Sequence, residues 1–338
     1  MKIPDTLPWQ LAGNSLGSGG QANVVPVTSR KKNDGELFAL KALRNVGSPK
    51  ARERFLREIE AVKRLDSNWI AKILDCSEPD NPFQYYVMTY YEGATSLSKI
   101  IYSKTNPYYS NPLKCLHLLE QLTYAIRACE EAKPLIVHRD IKPDNILVLP
   151  DGTIRLIDFG VCQIQDGEIV TFVDENVGAR NYAAPECEAG NDNQIGVHSD
   201  LYSASKVLWS AITSQRAFAR EKPVFGNRSL SILLPDNSMS WHLNDIFENT
   251  IRANPSDRFK NTEELLQSIH SIKYLIECKY PPLLEIAKRC PSCGNATVSH
   301  YERGIQIFTN PRPDGTDYCI CDTCGFVFIR ETKYLLVE

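Results

Sequence analysis

The chain has 338 residues, 43% of them hydrophobic, with a formal net charge of -3 and a pI of about 6.1. One ordinary domain holds roughly 100–200 residues, so two or three packed units are expected. The slightly acidic balance excludes the broad positive field that a nucleic-acid backbone binder relies on, and no window approaches the ~20 apolar residues of a membrane span. Pro4, Asp5 and Pro8 interrupt the stretch where a signal peptide needs an unbroken apolar run, which makes a cytoplasmic protein the expectation.

The first 90 residues read as strands broken by one helix. Gly17 to Val27 has the look of a hairpin, and Leu16-Gly17-Ser18-Gly19-Gly20-Gln21-Ala22-Asn23-Val24 places three close glycines between apolar residues. Such a turn lets backbone N–H groups approach phosphate oxygens without interference from Cβ atoms, although a glycine-rich hairpin is also an ordinary turn. In the strand Glu36 to Leu43, a period of two puts Lys41 on the side of Leu37 and Ala39. A lysine among apolar neighbours needs an anion. The next helix, Pro49 to Leu65, has Ser48 as its expected N-cap and an apolar stripe of Phe55, Ile59, Val62 and Leu65. Glu58 falls inside that stripe, where a carboxylate is costly unless paired; Lys41 is the natural partner, and a solvated glutamate at the stripe's edge is the alternative.

From Leu113 onward helical spacing dominates, over Leu113 to Ala132, Asp200 to Thr213, Trp241 to Ala253 and Thr262 to Ile276, with short strands at Ile146 to Leu149 and Thr153 to Ile157. A small β-rich unit followed by a larger helical one is an α+β architecture. Pro281 and Pro282 break the helical pattern and mark a connector over 277–288.

The segment Val137-His138-Arg139-Asp140-Ile141-Lys142-Pro143-Asp144-Asn145-Ile146-Leu147, then Leu156-Ile157-Asp158-Phe159-Gly160 and Ala184-Pro185-Glu186, carries the chemistry. Phosphoryl transfer needs a proton acceptor, cations against phosphate oxygens and hard oxygen ligands for Mg²⁺. Asp140, Lys142, Asn145 and Asp158 are those types. Over roughly residues 10–275 the chain resembles the eukaryotic-like (Hanks-type) Ser/Thr protein kinases, with the motifs in the expected order.

That resemblance implies a two-lobed kinase fold, an N-lobe over 1–91 and a C-lobe over 92–276, and ATP with Mg²⁺ as cofactors. Lys41 would hold the α- and β-phosphates and pair with Glu58; Asp140 would be the catalytic base and Lys142 would contact the γ-phosphate. Asn145 and Asp158 would bind Mg²⁺. Leu16, Gly17 and Gly19 would cover the nucleotide, Val24 and Ala39 would pack on adenine, and Met88 would be the gatekeeper before a Thr89 to Tyr91 hinge. Glu186 would pair with Arg258, and Asp200 would brace the catalytic loop.

Lysine at 142 resembles the Ser/Thr-specific form of that loop. Ala179 stands where Ser/Thr members usually have threonine, which removes a hydroxyl expected near Asp140 and Lys142. Lys206 sits where a small or apolar residue is usual, and the sequence offers no account of it. Arg139 would meet a phosphate on the activation segment; the one Ser/Thr hydroxyl between Asp158 and Glu186 is Thr171, with Asp166, Glu168, Asp174 and Glu175 as alternative anions.

The 11 cysteines fall into six singly placed through residue 278 and five between 290 and 324. An odd number in a large chain without an export signal argues against a disulfide framework. Cys290-Pro291-Ser292-Cys293-Gly294 and Cys321-Asp322-Thr323-Cys324-Gly325, with 27 residues between Cys293 and Cys321, present four thiolates suited to one tetrahedral Zn²⁺. The module 289–338 resembles a zinc ribbon, with Cys319 expected to be a strand residue and not a ligand. It carries five Lys/Arg against six Asp/Glu, which points to protein docking and away from nucleic acid. The competing function is a pseudokinase scaffold that recruits partners through this ribbon.

Overall fold

The computed structural model describes residues 2–18, 22–32, 35–44, 47–165, 181–189, 194–218 and 228–279, together with the backbone of 305–307, 316–321 and 327–331. Gly19, Thr171, Ala179, Cys290, Cys293 and Cys324 lie outside the described residues, as does most of the connector expected over 277–288.

Six antiparallel strands build the first lobe: β1 (Trp9–Leu11), β2 (Gly17–Ser18), β3 (Ala22–Ser29), β4 (Phe38–Leu43), β5 (Ile73–Cys76) and β6 (Tyr85–Thr89). Their order is β1-β3-β4-β6-β5, with β2 paired to β3 through Gly17 opposite Val24, so the hairpin read from the glycine-rich segment is present. The period of two sorts the side chains. Leu40 and Ala42 of β4 and Tyr85 and Val87 of β6 join Ile3, Trp9, Val25 and Val27 on one face. Leu43 and Tyr86 emerge on the other, against Phe55 and Ile59 of α1 (Pro49–Lys63). Ser48 caps α1, its Oγ accepting from the Ala51 N–H at 3.3 Å, with Pro49 following at the first turn.

The second lobe is helical. It follows β7 (Thr95–Ser96) with α2 (Leu97–Ile101), α3 (Pro112–Glu131), β8 (Ile136–Val137), β9 (Ile146–Val148), β10 (Ile154–Leu156), β11 (Gln163–Ile164), α4 (Pro185–Ala189), α5 (Val197–Thr213), α6 (Leu230–Leu233), α7 (Asn244–Thr250) and α8 (Thr262–Glu277). Strand β9 pairs with both β7 and β10, and β8 with β11. One apolar core gathers Leu116, Leu119 and Leu122 of α3, Leu201, Leu208 and Trp209 of α5, and Leu265 and Ile269 of α8. The lobes meet where the Leu156 N–H donates to the Trp69 carbonyl and the Ala71 N–H to the Leu156 carbonyl, at 2.8 and 3.1 Å. Among the described residues no helix is long and apolar enough to cross a membrane.

Two readings needed amending. The helix expected over Trp241 to Ala253 is a 3₁₀ turn over Ser238–Leu243 followed by α7. Helical spacing of apolar residues does not distinguish the two forms over so short a run. The C-terminal end is early because the Phe259 N–H takes the Asn249 carbonyl at 2.8 Å and Thr250 Oγ1 bonds back to the Ile246 carbonyl at 2.6 Å. Lys206, unexplained by sequence, is fully buried on α5. Its Nζ donates to the Phe218 carbonyl at 3.0 Å and lies 3.6 Å from the Phe218 ring centroid and 5.3 Å from that of Tyr202. Burial, and then the charge of Arg228, push its ammonium down to about 7.

Near the C-terminus, β12 (Ile305–Ile307), β13 (Thr316–Cys321) and β14 (Val327–Glu331) form a three-stranded antiparallel sheet in that order. Cys319 lies within β13, opposite Ile307 and Phe328, and Cys321 closes the strand opposite Ile305.

Candidate active site

The buried carboxylate of α1 has its partner. Lys41, on β4, donates to both oxygens of Glu58 at 2.7 and 2.8 Å and to Asp158 Oδ1 at 2.9 Å, which uses all three ammonium protons. Glu58 is 2% exposed, so the solvated reading of this residue is excluded. Burial alone would lower the Lys41 pKa, but Glu58, Tyr86 and Asp158 outweigh it and hold the ammonium well above its ordinary value. Tyr86 Oη also donates to Glu58 Oε1, at 2.9 Å.

Asp158 has a φ of 66°, a left-handed backbone that a non-glycine residue adopts only where its surroundings impose it. This turn faces its carboxylate to Lys41 while Phe159 is buried beside His138, with ring centroids 4.4 Å apart. Burial would push the Asp158 carboxyl up; Lys41 and its hydrogen bond overcome that and hold it below the ordinary carboxylate range. At Gly160 an added Cβ would sit 3.3 Å from Asp158 Oδ1 and 3.7 Å from Glu58 Oε2, so a side chain here would crowd the two acids.

The loop between β8 and β9 carries the second group. Asp140 Oδ2 accepts from Lys142 Nζ at 2.6 Å and from Asn145 Nδ2 at 2.9 Å. Asn145 Nδ2 also reaches the Asp140 carbonyl at 2.9 Å, which ties the loop across its own turn. Burial raises the Asp140 pKa against the opposing pull of Lys142 and Asn145, making this carboxylate a better proton acceptor than a free aspartate.

Buried Asp200 of α5 holds the loop from beneath, its carboxylate accepting the His138 and Arg139 N–H groups at 2.7 and 2.9 Å. Arg139 is held at a φ of 68°. The Asp140 N–H donates to His138 Nδ1 at 3.2 Å, so Nε2 carries the imidazole proton and donates to the Ile157 carbonyl at 3.2 Å. Burial holds His138 below its ordinary pKa, in agreement with that neutral ring.

Further from the cleft, Arg258 makes a two-pronged contact with Glu186 at 2.7 and 2.9 Å, and Ser199 Oγ donates to the same carboxylate at 2.6 Å. Both members of the pair are buried. On the sheet, Ala39 is the register partner of Met88 and Val24 that of Lys41. Leu16 is exposed beside the start of β2. Among the described residues no group of three or more His, Cys, Asp or Glu is placed to hold a metal ion.

The structure thus brings together Lys41, Glu58 and Asp158, and separately Asp140, Lys142 and Asn145. Sequence reasoning missed the Tyr86 hydroxyl and the Ser199 contact. Tyr86 lies in an apolar strand run that reads as packing alone, and nothing in it signals a hydroxyl aimed at Glu58.

This cleft between a twisted sheet and a helical lobe is that of a protein kinase, and the chain belongs to the protein kinase domain family, which it matches over residues 11–270. It is 26% identical over 276 residues to a probable serine/threonine-protein kinase of Clostridium perfringens, covering 76% of this chain and 37% of that protein. It is 33% identical over 211 residues to the serine/threonine-protein kinase PrkC of Bacillus subtilis, covering 62% of this chain and 31% of that one. The chain therefore spans about a third of the length of these curated relatives. The fold matches the crystal structure of the Mycobacterium tuberculosis PknI kinase domain, with a TM-score of 0.59 and 21% identity over 78% of this chain and 96% of that one.

Proposed function

We propose that the chain is an ATP-dependent serine/threonine protein kinase that transfers the γ-phosphate to protein hydroxyls and phosphorylates itself. The observation that carries this reading is the intact ionic network of Lys41 with Glu58 and Asp158 beside the Asp140, Lys142 and Asn145 cluster. In this reading Asp140 takes the proton of the acceptor hydroxyl as its oxygen attacks the γ-phosphorus and the bond to the bridging oxygen of ADP breaks. Lys142 steadies the transferred group, and Lys41, anchored by Glu58, holds the α- and β-phosphates. Leu16, Gly17 and Gly19 cover the nucleotide; Val24, Ala39 and Met88 line the adenine site.

The donor chemistry fits Mg²⁺. Asn145 spends its amide nitrogen on Asp140 and Asp158 spends one oxygen on Lys41, which leaves a hard oxygen on each. Bound there, the ion supplies charge neutralisation at the phosphates. Asp200 positions the loop through two backbone N–H groups, and Arg139 is the receptor for phosphate on Thr171.

We divide the chain into an N-lobe (1–91), a C-lobe (92–276), a linker (277–288) and a zinc ribbon (289–338). Cys290, Cys293, Cys321 and Cys324 would hold one structural Zn²⁺, with a role in docking protein partners. The three-stranded sheet and the position of Cys321 at the end of β13 support the ribbon. A cytoplasmic site of action completes the reading.

The test is ATP turnover by purified protein with Mg²⁺, beside Asp140→Asn, with mass spectrometry at Thr171. Turnover should fall by several powers of ten in the variant, and wild-type Thr171 should be phosphorylated. Near-normal turnover in Asp140→Asn would remove the assigned base, and nucleotide binding without turnover in the wild type would establish a scaffold. Unmodified Thr171 in active protein would leave Arg139 to the acidic residues of the same segment.

A further inference from the structure

Glu58 is the one residue of the network on a separate helix, so whatever fixes its carboxylate fixes α1 against the sheet. Lys41 provides two of its hydrogen bonds. On the reading above, Lys41 must also turn toward phosphates, and the ammonium has no proton to spare: its third is on Asp158 at 2.9 Å. When nucleotide draws on that ammonium, a carboxylate held by Lys41 alone would be left partly unsupported in a buried site, where an under-bonded charge is costly.

Tyr86 meets that need. Its Oη donates to Glu58 Oε1 at 2.9 Å from strand β6, which pairs with β4 and places Tyr86 opposite Lys41. The residue is 4% exposed, and Lys41 Nζ lies 5.6 Å from its ring centroid. The ring packs beside Phe55 of α1 at 5.5 Å, within the cluster of Leu43, Phe55 and Ile59. A neutral donor is the right chemistry: it orients the carboxylate without competing for the charge that Lys41 needs.

We propose that Tyr86 is a positioning residue, which ties Glu58 and hence α1 to the sheet so that Lys41 is free to engage nucleotide. Packing and hydrogen bonding separate cleanly in Tyr86→Phe, which keeps the ring and removes only Oη. Tyr85→Phe is the control, since its hydroxyl lies 3.4 Å from Asp75 and its side chain joins the opposite face of the sheet.

Two measurements test this on the full chain. Deuterium uptake over residues 49–63 should be about tenfold faster in Tyr86→Phe than in wild type or Tyr85→Phe, as expected for losing a hydrogen bond to a charged group. In steady-state kinetics kcat should fall about tenfold with KM for ATP changed less than about threefold. The inference rests on the kinase reading for the second measurement only. If the wild type shows no turnover, that reading fails and hydrogen exchange still decides the role of Tyr86. Uptake in α1 identical across the three proteins would overturn the proposal, leaving Tyr86 as a packing ring.

Discussion

Replacing Lys206 with methionine removes a buried cation while keeping a similar volume, and the result is set by how burial acts on that ammonium. Its pKa falls from 10.5 to about 7, so at acid pH the folded chain carries a penalty of about 5 kcal/mol relative to a lysine in water. Methionine relieves that penalty but leaves the Phe218 carbonyl without its donor, at ~1–3 kcal/mol, and forfeits the ring contacts, worth ~1–2 kcal/mol. Lys206→Met should therefore be about as stable as wild type, or up to about 3 kcal/mol more so, at pH 6.

The pH dependence is the sharper test. The folded-state pKa is depressed, so between about 7 and 10.5 the unfolded chain binds more protons and wild-type stability rises with pH through that window. From pH 6 to pH 9 this one group contributes a rise of ~2–3 kcal/mol. Urea denaturation at both pH values, followed by tryptophan fluorescence, to which Trp209 beside Phe218 contributes, should show the advantage of Lys206→Met shrinking by that amount. Parallel pH profiles for the two proteins would refute the reasoning and mean that the carbonyl and the rings keep the buried ammonium fully charged.

Arg258→Ala should destabilise the helical lobe by ~3–5 kcal/mol in the same denaturation assay, because it leaves the buried Glu186 carboxylate, among the described residues, with Ser199 Oγ as its side-chain hydrogen-bond donor and His198 Nε2 at 4.0 Å. A loss under ~1 kcal/mol would mean that water reaches Glu186. Elemental analysis should find one zinc per chain, retained in Cys319→Ser and lost in Cys290→Ser/Cys321→Ser; retention in the double variant would displace the proposed ligand set.

The parts of the site legible in sequence were those where residue type conflicts with local pattern. Glu58 stands in an apolar stripe and Lys41 on a half-buried strand, and the only economical resolution of both is the pair now seen at 2.7 Å. Ser48 and Pro49 fixed the start of α1 to the residue because capping is local chemistry. Tyr86, Ser199 and Lys206 were opaque for the opposite reason. Tyrosine in a strand and serine in a helix each satisfy local expectation, and their partners are 28 and 13 residues away. Lys206 contradicts its pattern but finds a backbone carbonyl in a loop, and no residue type announces such an acceptor. The 3₁₀ turn over Ser238–Leu243 escaped because the apolar spacing it carries serves either helical form.

Helix α5 is buried from Ser199 to Thr213 without interruption. It supports the loop through Asp200, reaches Glu186 through Ser199 and meets Tyr182 through Ser210 at 3.1 Å. An amphipathic helix has a wet side on which a sequence can drift; this one has none, so neighbouring positions are constrained together, charged and apolar alike. Variation in this chain would then accumulate around α5 and leave it as a fixed block, a record of the structure written in what cannot change.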